Sequence, residues 1–295
     1  MQKVTSFLWF DNNAEDAMEF YLSVFDNSRI VHIERYPDEA LNTHFVGMNG
    51  KIITGVFELS GRRFMCLDGG PQFTFNPSIS FFCNFTERTD IETAWGKLVE
   101  GGQVMMEFKA YPWSHLYGWL VDKYGVTWQL SLSEPRQSHQ QITPLLMFMN
   151  DQAGKEKEAM SFYTALFEDS GVDFVSEYEK GEGDSAGSVN HARYHLGEDH
   201  FMAMDSSFTH PFSFNEAISF HVSCKDQAEI NRLWEALTTN GGQESQCGWC
   251  KDKFEVSWQI IPENMGELLS TGPAAIQAMM QMQKIDIATL EKAGK

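Results

Sequence analysis

The chain has no apolar run of about 18 residues, and no charged leader followed by a short apolar stretch, so neither membrane spanning nor secretion is expected. Basic residues are few: 22 Lys and Arg stand against 41 Asp and Glu, a formal net charge of −19 at pH 7. A surface of that sign repels phosphate backbones and anionic headgroups, which sets aside nucleic acid and a bare membrane as partners. Cysteine is scarce and odd in number (Cys66, Cys83, Cys224, Cys247, Cys250), which argues against a disulfide framework and for a reduced, cytoplasmic protein. There is no strand, Gly-rich turn and helix in succession: Gly69-Gly70 runs into Pro71, while Gly101-Gly102 and Gly241-Gly242 end helical patterns. That removes the doubly wound fold's usual nucleotide or S-adenosylmethionine site, and P-loop, nucleophile-elbow and triad signatures are missing as well.

What the chain does have is a duplication. Phe20-Tyr21 recurs as Phe162-Tyr163, Phe64-Met65 as Phe201-Met202, Phe75-Asn76 as Phe214-Asn215, Trp95 as Trp234, and Gly118-Trp119 as Gly248-Trp249. Asp122-Lys123-Tyr124-Gly125-Val126-Thr127-Trp128-Gln129 returns as Asp252-Lys253-Phe254-Glu255-Val256-Ser257-Trp258-Gln259. The copies differ by loop insertions, the largest being Phe108 to Leu116. The 295 residues, with 23 Phe and 8 Trp, suffice for two cores. The expected domains are 1–134 and 142–262, joined by a polar, Pro-containing linker, with a helical tail over 263–295.

Each copy is itself double. Val4 to Phe10 alternates as a strand; Asn12 or Asn13 then caps a helix carrying Ala17, Phe20, Tyr21, Val24 and Phe25. Strand-like segments follow near 29–36, 51–59 and 62–68. The pattern restarts with a strand from Ile79 to Phe85, a helix striped by Ile91, Ala94, Trp95 and Leu98, and strands near 103–108, 116–121 and 126–132. The unit is βαβββ, written four times: an α+β fold. In the tail, Ile276, Met279, Met280 and Met282 mark a helix from Pro273 to about Gln283 that docks on the domains, and a shorter helix spans about Asp286 to Lys292.

These modules, with Phe7-Leu8-Trp9-Phe10-Asp11, Phe73-Thr74-Phe75-Asn76-Pro77 and Gln246-Cys247-Gly248-Trp249, resemble the vicinal oxygen chelate superfamily that includes glyoxalase I. A closer likeness is to its PhnB-like branch, often labelled 3-demethylubiquinone-9 3-methyltransferase. The resemblance implies tandem glyoxalase-like domains, with mixed and antiparallel U-shaped sheets whose concave faces hold a ligand or a divalent metal and whose helices lie outside. It also implies that the two domains pair within the chain as a pseudo-dimer, with further oligomerisation left open.

In metal-using members a ligand Glu stands four residues after the turn Gly of the last strand; here that position is Gln129, and Gln259 in the second copy. The other ligand positions fall near Thr5 or Ser6 and at Ser80. A neutral amide adds no charge to offset stripping a cation's water, so no cofactor is expected. Alternation places Ser80, Phe82, Thr127 and Gln129, and in the second copy His191, Arg193, Ser219, His221 and Gln259, on ligand-facing strand sides. His191 and His221 are the candidate catalytic residues, as general base or, with Gln259, as a divalent-metal set. His44 reads as a loop or strand-edge residue. Cys247-Gly248-Trp249-Cys250 precedes a strand rather than a helix and has no second pair, so it reads as two free thiols. Three functions stay open: a small-molecule binder without catalytic metal, a metal- or His-dependent lyase, isomerase or dioxygenase confined to the second domain, and a scaffold with closed cavities.

Overall fold

The structure is a computed structural model and describes residues 2–36, 47–133 and 142–294. Most of the expected linker, residues 134–141, and His44 lie outside the described residues. Four βαβββ modules follow one another. The first is β1 (Val4–Phe10), α1 (Ala14–Val24), β2 (Arg29–Arg35), β3 (Ile52–Leu59) and β4 (Arg62–Asp68). The second is β5 (Ile79–Phe85), α2 (Arg88–Leu98), β6 (Gln103–Tyr111), β7 (Ser114–Val121) and β8 (Thr127–Leu132). The third is β9 (Ile142–Phe148), α3 (Glu156–Leu166), β10 (Gly171–Glu177), β11 (Val189–Leu196) and β12 (Asp199–Asp205). The fourth is β13 (Ile218–Cys224), α4 (Gln227–Thr238), β14 (Gln243–Glu244), β15 (Trp249–Lys251) and β16 (Ser257–Pro262).

The modules assemble crosswise into two eight-stranded sheets. One has the order β14-β15-β16-β13-β1-β4-β3-β2, the first module joined to the fourth; the other runs β10-β11-β12-β9-β5-β8-β7-β6, the third joined to the second. The seams are antiparallel, β1 on β13 with Phe7 opposite Ser219, and β5 on β9 with Ser80 opposite Leu145. The cores follow the other partition. Tyr21 on α1 packs on Trp128 of β8 at 5.2 Å between ring centroids, and Phe64 on Phe81 at 5.1 Å. Tyr163 on Trp258 at 5.4 Å and Phe201 on Phe220 at 5.3 Å repeat this in the second half. Strand alternation sends Val4, Leu8 and Phe10 into that core and Thr5, Phe7 and Trp9 to the opposite, concave side.

The repeated Asp-to-Gln stretch has a structural purpose. Asp122 accepts amides of Tyr124 and Val126 on Oδ1 (2.8 and 3.0 Å), and the Trp128 indole and Tyr21 hydroxyl on Oδ2 (both 2.8 Å). Asp252 makes the same four contacts with Phe254, Val256, Trp258 and Tyr163. One buried carboxylate thus ties turn, last strand and helix together. Gly125 takes a left-handed φ of 92°, and Glu255 is forced to φ 70° at the same place.

Two local expectations need correction. Neither Asn12 nor Asn13 caps α1: Asn13 stands at the N-cap without a side-chain bond, and Asp68 Oδ1 accepts the Ala14 amide instead at 2.9 Å. The tail holds three helices rather than two, α5 (Met265–Ser270), α6 (Pro273–Met280) and α7 (Ile287–Ala293). Met279 and Met282 pack in a cluster built on the tail's own Leu268, Ile285 and Leu290, which Ile261 of β16 joins from the domain side; Ile276 and Met280 are not part of it. The tail is stitched to the β14–β15 edge by the Cys247 amide to Met282 O (2.8 Å) and the Gly248 amide to Gln283 O (2.7 Å). A Cβ on Gly248 would meet Ile261 at 2.6 Å and Ile285 at 3.1 Å, so this docking requires glycine.

Candidate functional site on the concave sheet faces

On the first face, formed by the first and fourth modules, register lines up Trp249, Gln259, His221 and Thr5 across four strands, with Ser219, Phe7 and Met65 as the neighbouring row. Gln259 Nε2 donates to Ser219 Oγ at 2.9 Å, and both residues are buried. Aromatic walls stand over them. Trp249 meets Phe7 edge-on at 5.8 Å and Trp9 at 5.9 Å, and Phe73 meets Trp9 at 5.0 Å. His221 Nδ1 is buried with no hydrogen-bond partner, as is Ser257 Oγ. Burial pushes the His221 pKa down to about 4, so the imidazole is neutral at neutral pH.

On the second face the equivalent row is Trp119, Gln129, Phe82 and Thr143, with Ser80, Leu145 and Met202 beside it. Gln129 Nε2 donates to Ser80 Oγ at 2.9 Å, and here its Oε1 also accepts the Tyr117 hydroxyl at 2.7 Å. Phe82 lies 6.3 Å from Tyr117 and 6.3 Å from His191, although β12 and β9 separate the strands of Phe82 and His191. Their rings meet because the sheet curls into a U. The Arg193 guanidinium covers Phe174 at 5.1 Å. Thr127 is fully buried, its Oγ1 without a partner.

The proposed set of His191, His221 and Gln259 does not assemble. Crosswise pairing puts β11, and with it His191, on the second face, while His221 and Gln259 lie on the first. A reaction confined to the second domain would need residues that the fold sends to opposite sheets. Among the described residues no three or more His, Cys, Asp or Glu side chains are grouped to hold a metal ion. The residues at Gln259 bring one imidazole, two hydroxyls and an amide but no carboxylate, a donor set that does not suit a resident divalent cation. Cys247 and Cys250 carry free thiols, and burial raises the pKa of both.

Sequence reasoning missed Tyr117 and Trp249. The signal was present in Tyr117-Gly118-Trp119 against Cys247-Gly248-Trp249, which sets a Tyr against a Cys one pleat from a shared Trp. No described helix is long and apolar enough to cross a membrane.

The family model described as 3-demethylubiquinone-9 3-methyltransferase matches residues 2–131 and 140–261. No curated protein matches the chain. A Bacillus cereus PhnB protein carrying the same methyltransferase label is 42% identical, covering 45% of this chain and all of its own, with a TM-score of 0.41. Zea mays glyoxalase I, at 8% identity and a TM-score of 0.56, covers 90% of this chain and 95% of its own. A Bacillus subtilis protein labelled a dioxygenase, at 10% identity and a TM-score of 0.52, covers 98% of this chain and 95% of its own. The last two share the tandem glyoxalase-like fold alone. With both halves matched in turn, the chain belongs to the 3-demethylubiquinone-9 3-methyltransferase family, the PhnB-like branch of the vicinal oxygen chelate fold.

Proposed function

We propose that this protein binds a small organic molecule on a concave sheet face and uses no catalytic metal to do so. The observation that carries the reading is the Ser–Gln pair at the floor of each face, Ser219 with Gln259 and Ser80 with Gln129, where a neutral amide is tied to a hydroxyl beneath aromatic side chains. Few polar groups fixed among aromatic walls make a recognition site for an organic ligand, whereas a divalent ion needs anionic oxygens. The methyltransferase wording of the family has no counterpart in the residues, since no strand, Gly-rich turn and helix follow one another to hold a nucleoside cofactor. A general-base role for His221 is disfavoured by its depressed pKa, which makes it a poor proton acceptor at neutral pH.

Two measurements test this. Elemental analysis of purified protein should return far less than one divalent ion per chain; a stoichiometric, tightly held metal would overturn the metal-free reading. A thermal-shift screen against small metabolites should give hits whose stabilisation grows with ligand concentration. An empty screen would favour a closed scaffold.

A further inference from the structure

The two faces are built on one plan but finished differently. On the second face Tyr117 satisfies the Gln129 carbonyl, and the Phe82 ring fills the space between Tyr117 and His191. On the first face Phe82 is replaced by His221 and Tyr117 by Cys247. Cys247 turns its thiol to the Met279 carbonyl at 3.7 Å, toward the tail, and no hydroxyl takes the place of the Tyr117 bond. Gln259 is tied only through its Nε2, so its Oε1 has no donor among the described residues, and His221 Nδ1, on the residue next to it in register, is buried without a partner. Buried polar groups are normally paired, so a buried unpaired imidazole nitrogen beside an amide carbonyl without a donor marks a place where something else supplies the partners.

We infer that the faces have divided their roles: the second is packed shut by its own side chains, and the first is the binding face. This rests on the small-molecule reading above and adds the chemistry of the ligand. The walls of Phe7, Trp9, Phe73 and Trp249 suit a planar aromatic ring. The floor offers an amide carbonyl that needs a donor and a neutral imidazole that offers one donor and one acceptor. Among the described residues, the two cations on the concave-facing positions of the flanking strands are both paired. Lys251 is bound to Glu216 at 3.0 Å, and Arg63 to Glu58 at 3.5 Å. The ligand is an uncharged aromatic bearing at least one N–H or O–H group.

The test uses the full chain with indole, phenol and benzamide as probes, toluene as the ring without a donor, and benzoate as the charged ring. Binding is read by tryptophan fluorescence, which Trp9 and Trp249 report directly, and by thermal shift. The donor-bearing neutral probes should bind at least tenfold more tightly than toluene or benzoate. His221→Phe, which copies the second face, should weaken them at least tenfold, and His221→Ala should do the same if the phenylalanine variant folds poorly. Tyr117→Phe, which removes only the hydroxyl on the second face, should leave affinity unchanged. If Tyr117→Phe weakens binding and both His221 variants do not, the ligand lies on the second face; the division of roles is then wrong while small-molecule binding stands. Equal affinity for toluene would overturn the donor requirement. Failure of every probe together with an empty metabolite screen would overturn both readings.

Discussion

Arg62 and Asp199 hold the same place in the two halves of the chain, the first residue of β4 and of β12, and carry opposite charges. Both are buried. Asp199 Oδ2 accepts the amides of Lys3 and Val4 at 2.9 and 2.8 Å, binding the third module to the start of the first. The Arg62 guanidinium lies 6.0 Å from the Phe201 ring centre, with Nε and Nη2 unpartnered. Burial lowers its pKa to about 10 against the pull of Asp199.

Arg62→Asp would face a buried carboxylate with another. Urea unfolding should show a loss of stability, because a Coulombic attraction between buried groups becomes a repulsion, and part of the loss should return at pH 4 to 5 as a carboxyl takes up a proton. Arg62→Met, which keeps the bulk without the charge, should cost distinctly less. Equal losses would show that repulsion from Asp199 adds nothing to the loss of the guanidinium itself.

Glu156 is the first residue of α3, where α1 has Ala14. It is fully buried with both carboxylate oxygens unpartnered, close to Asp205. Desolvation, reinforced by Asp205, raises its pKa to about 8. A carboxyl with a raised pKa stabilises the fold below its unfolded value, about 4.3, and that stability drains away as pH rises to about 8. Glu156→Ala should therefore gain stability at pH 8, by a few kcal/mol on the scale of about 1.4 kcal/mol per pKa unit, and gain little at pH 4. Melting curves at the two pH values check this; an equal effect at both would remove the titration argument.

His221 and Asp252 pull in opposite directions with pH. His221, lowered to about 4, contributes stability that is present above its unfolded value of about 6.5 and lost as pH falls through 4. Asp252, raised to about 6 by burial, contributes stability that is present below about 4 and lost as pH rises through 6. The two nearly offset each other between pH 4 and 6.5. In His221→Phe the Asp252 trend is exposed, so stability should fall with rising pH across this window more steeply than in the parent. Chemical denaturation at half-unit steps gives the slope, and an unchanged slope would mean that folding leaves the His221 pKa where it is in the unfolded chain.

Glu255 stands in the left-handed region that Gly125 occupies in the first copy. A side chain there costs roughly 1 kcal/mol, so Glu255→Gly should raise stability by about that amount, less what the freer unfolded chain takes back. The reverse change, Gly125→Glu, should destabilise. The sign of each midpoint shift in urea is the readout.

The repeat, the four modules and the alternation of each strand were readable in the sequence because period-two burial and the Asp-to-Trp turn leave local marks. Ser80, Gln129, Ser219 and Gln259 were placed on concave strand sides by that alternation. The pairing of modules was not readable. Alternation states which side of a strand a residue takes, not which strand lies beside it, so it does not distinguish one site for His191 and His221 from two. The β1–β13 and β5–β9 seams that separate them join residues at least 59 positions apart and carry no local signal. The tail's first helix escaped notice because six residues make too little periodicity to detect.

Crosswise assembly also has a consequence for how the chain can change. Each face takes one module from either copy, so a substitution in any module alters one face and leaves its twin untouched. In a symmetric pair of identical chains, every substitution would fall on both faces at once. Fusion of the copies releases that constraint, and His221 opposite Phe82 is the kind of divergence it permits.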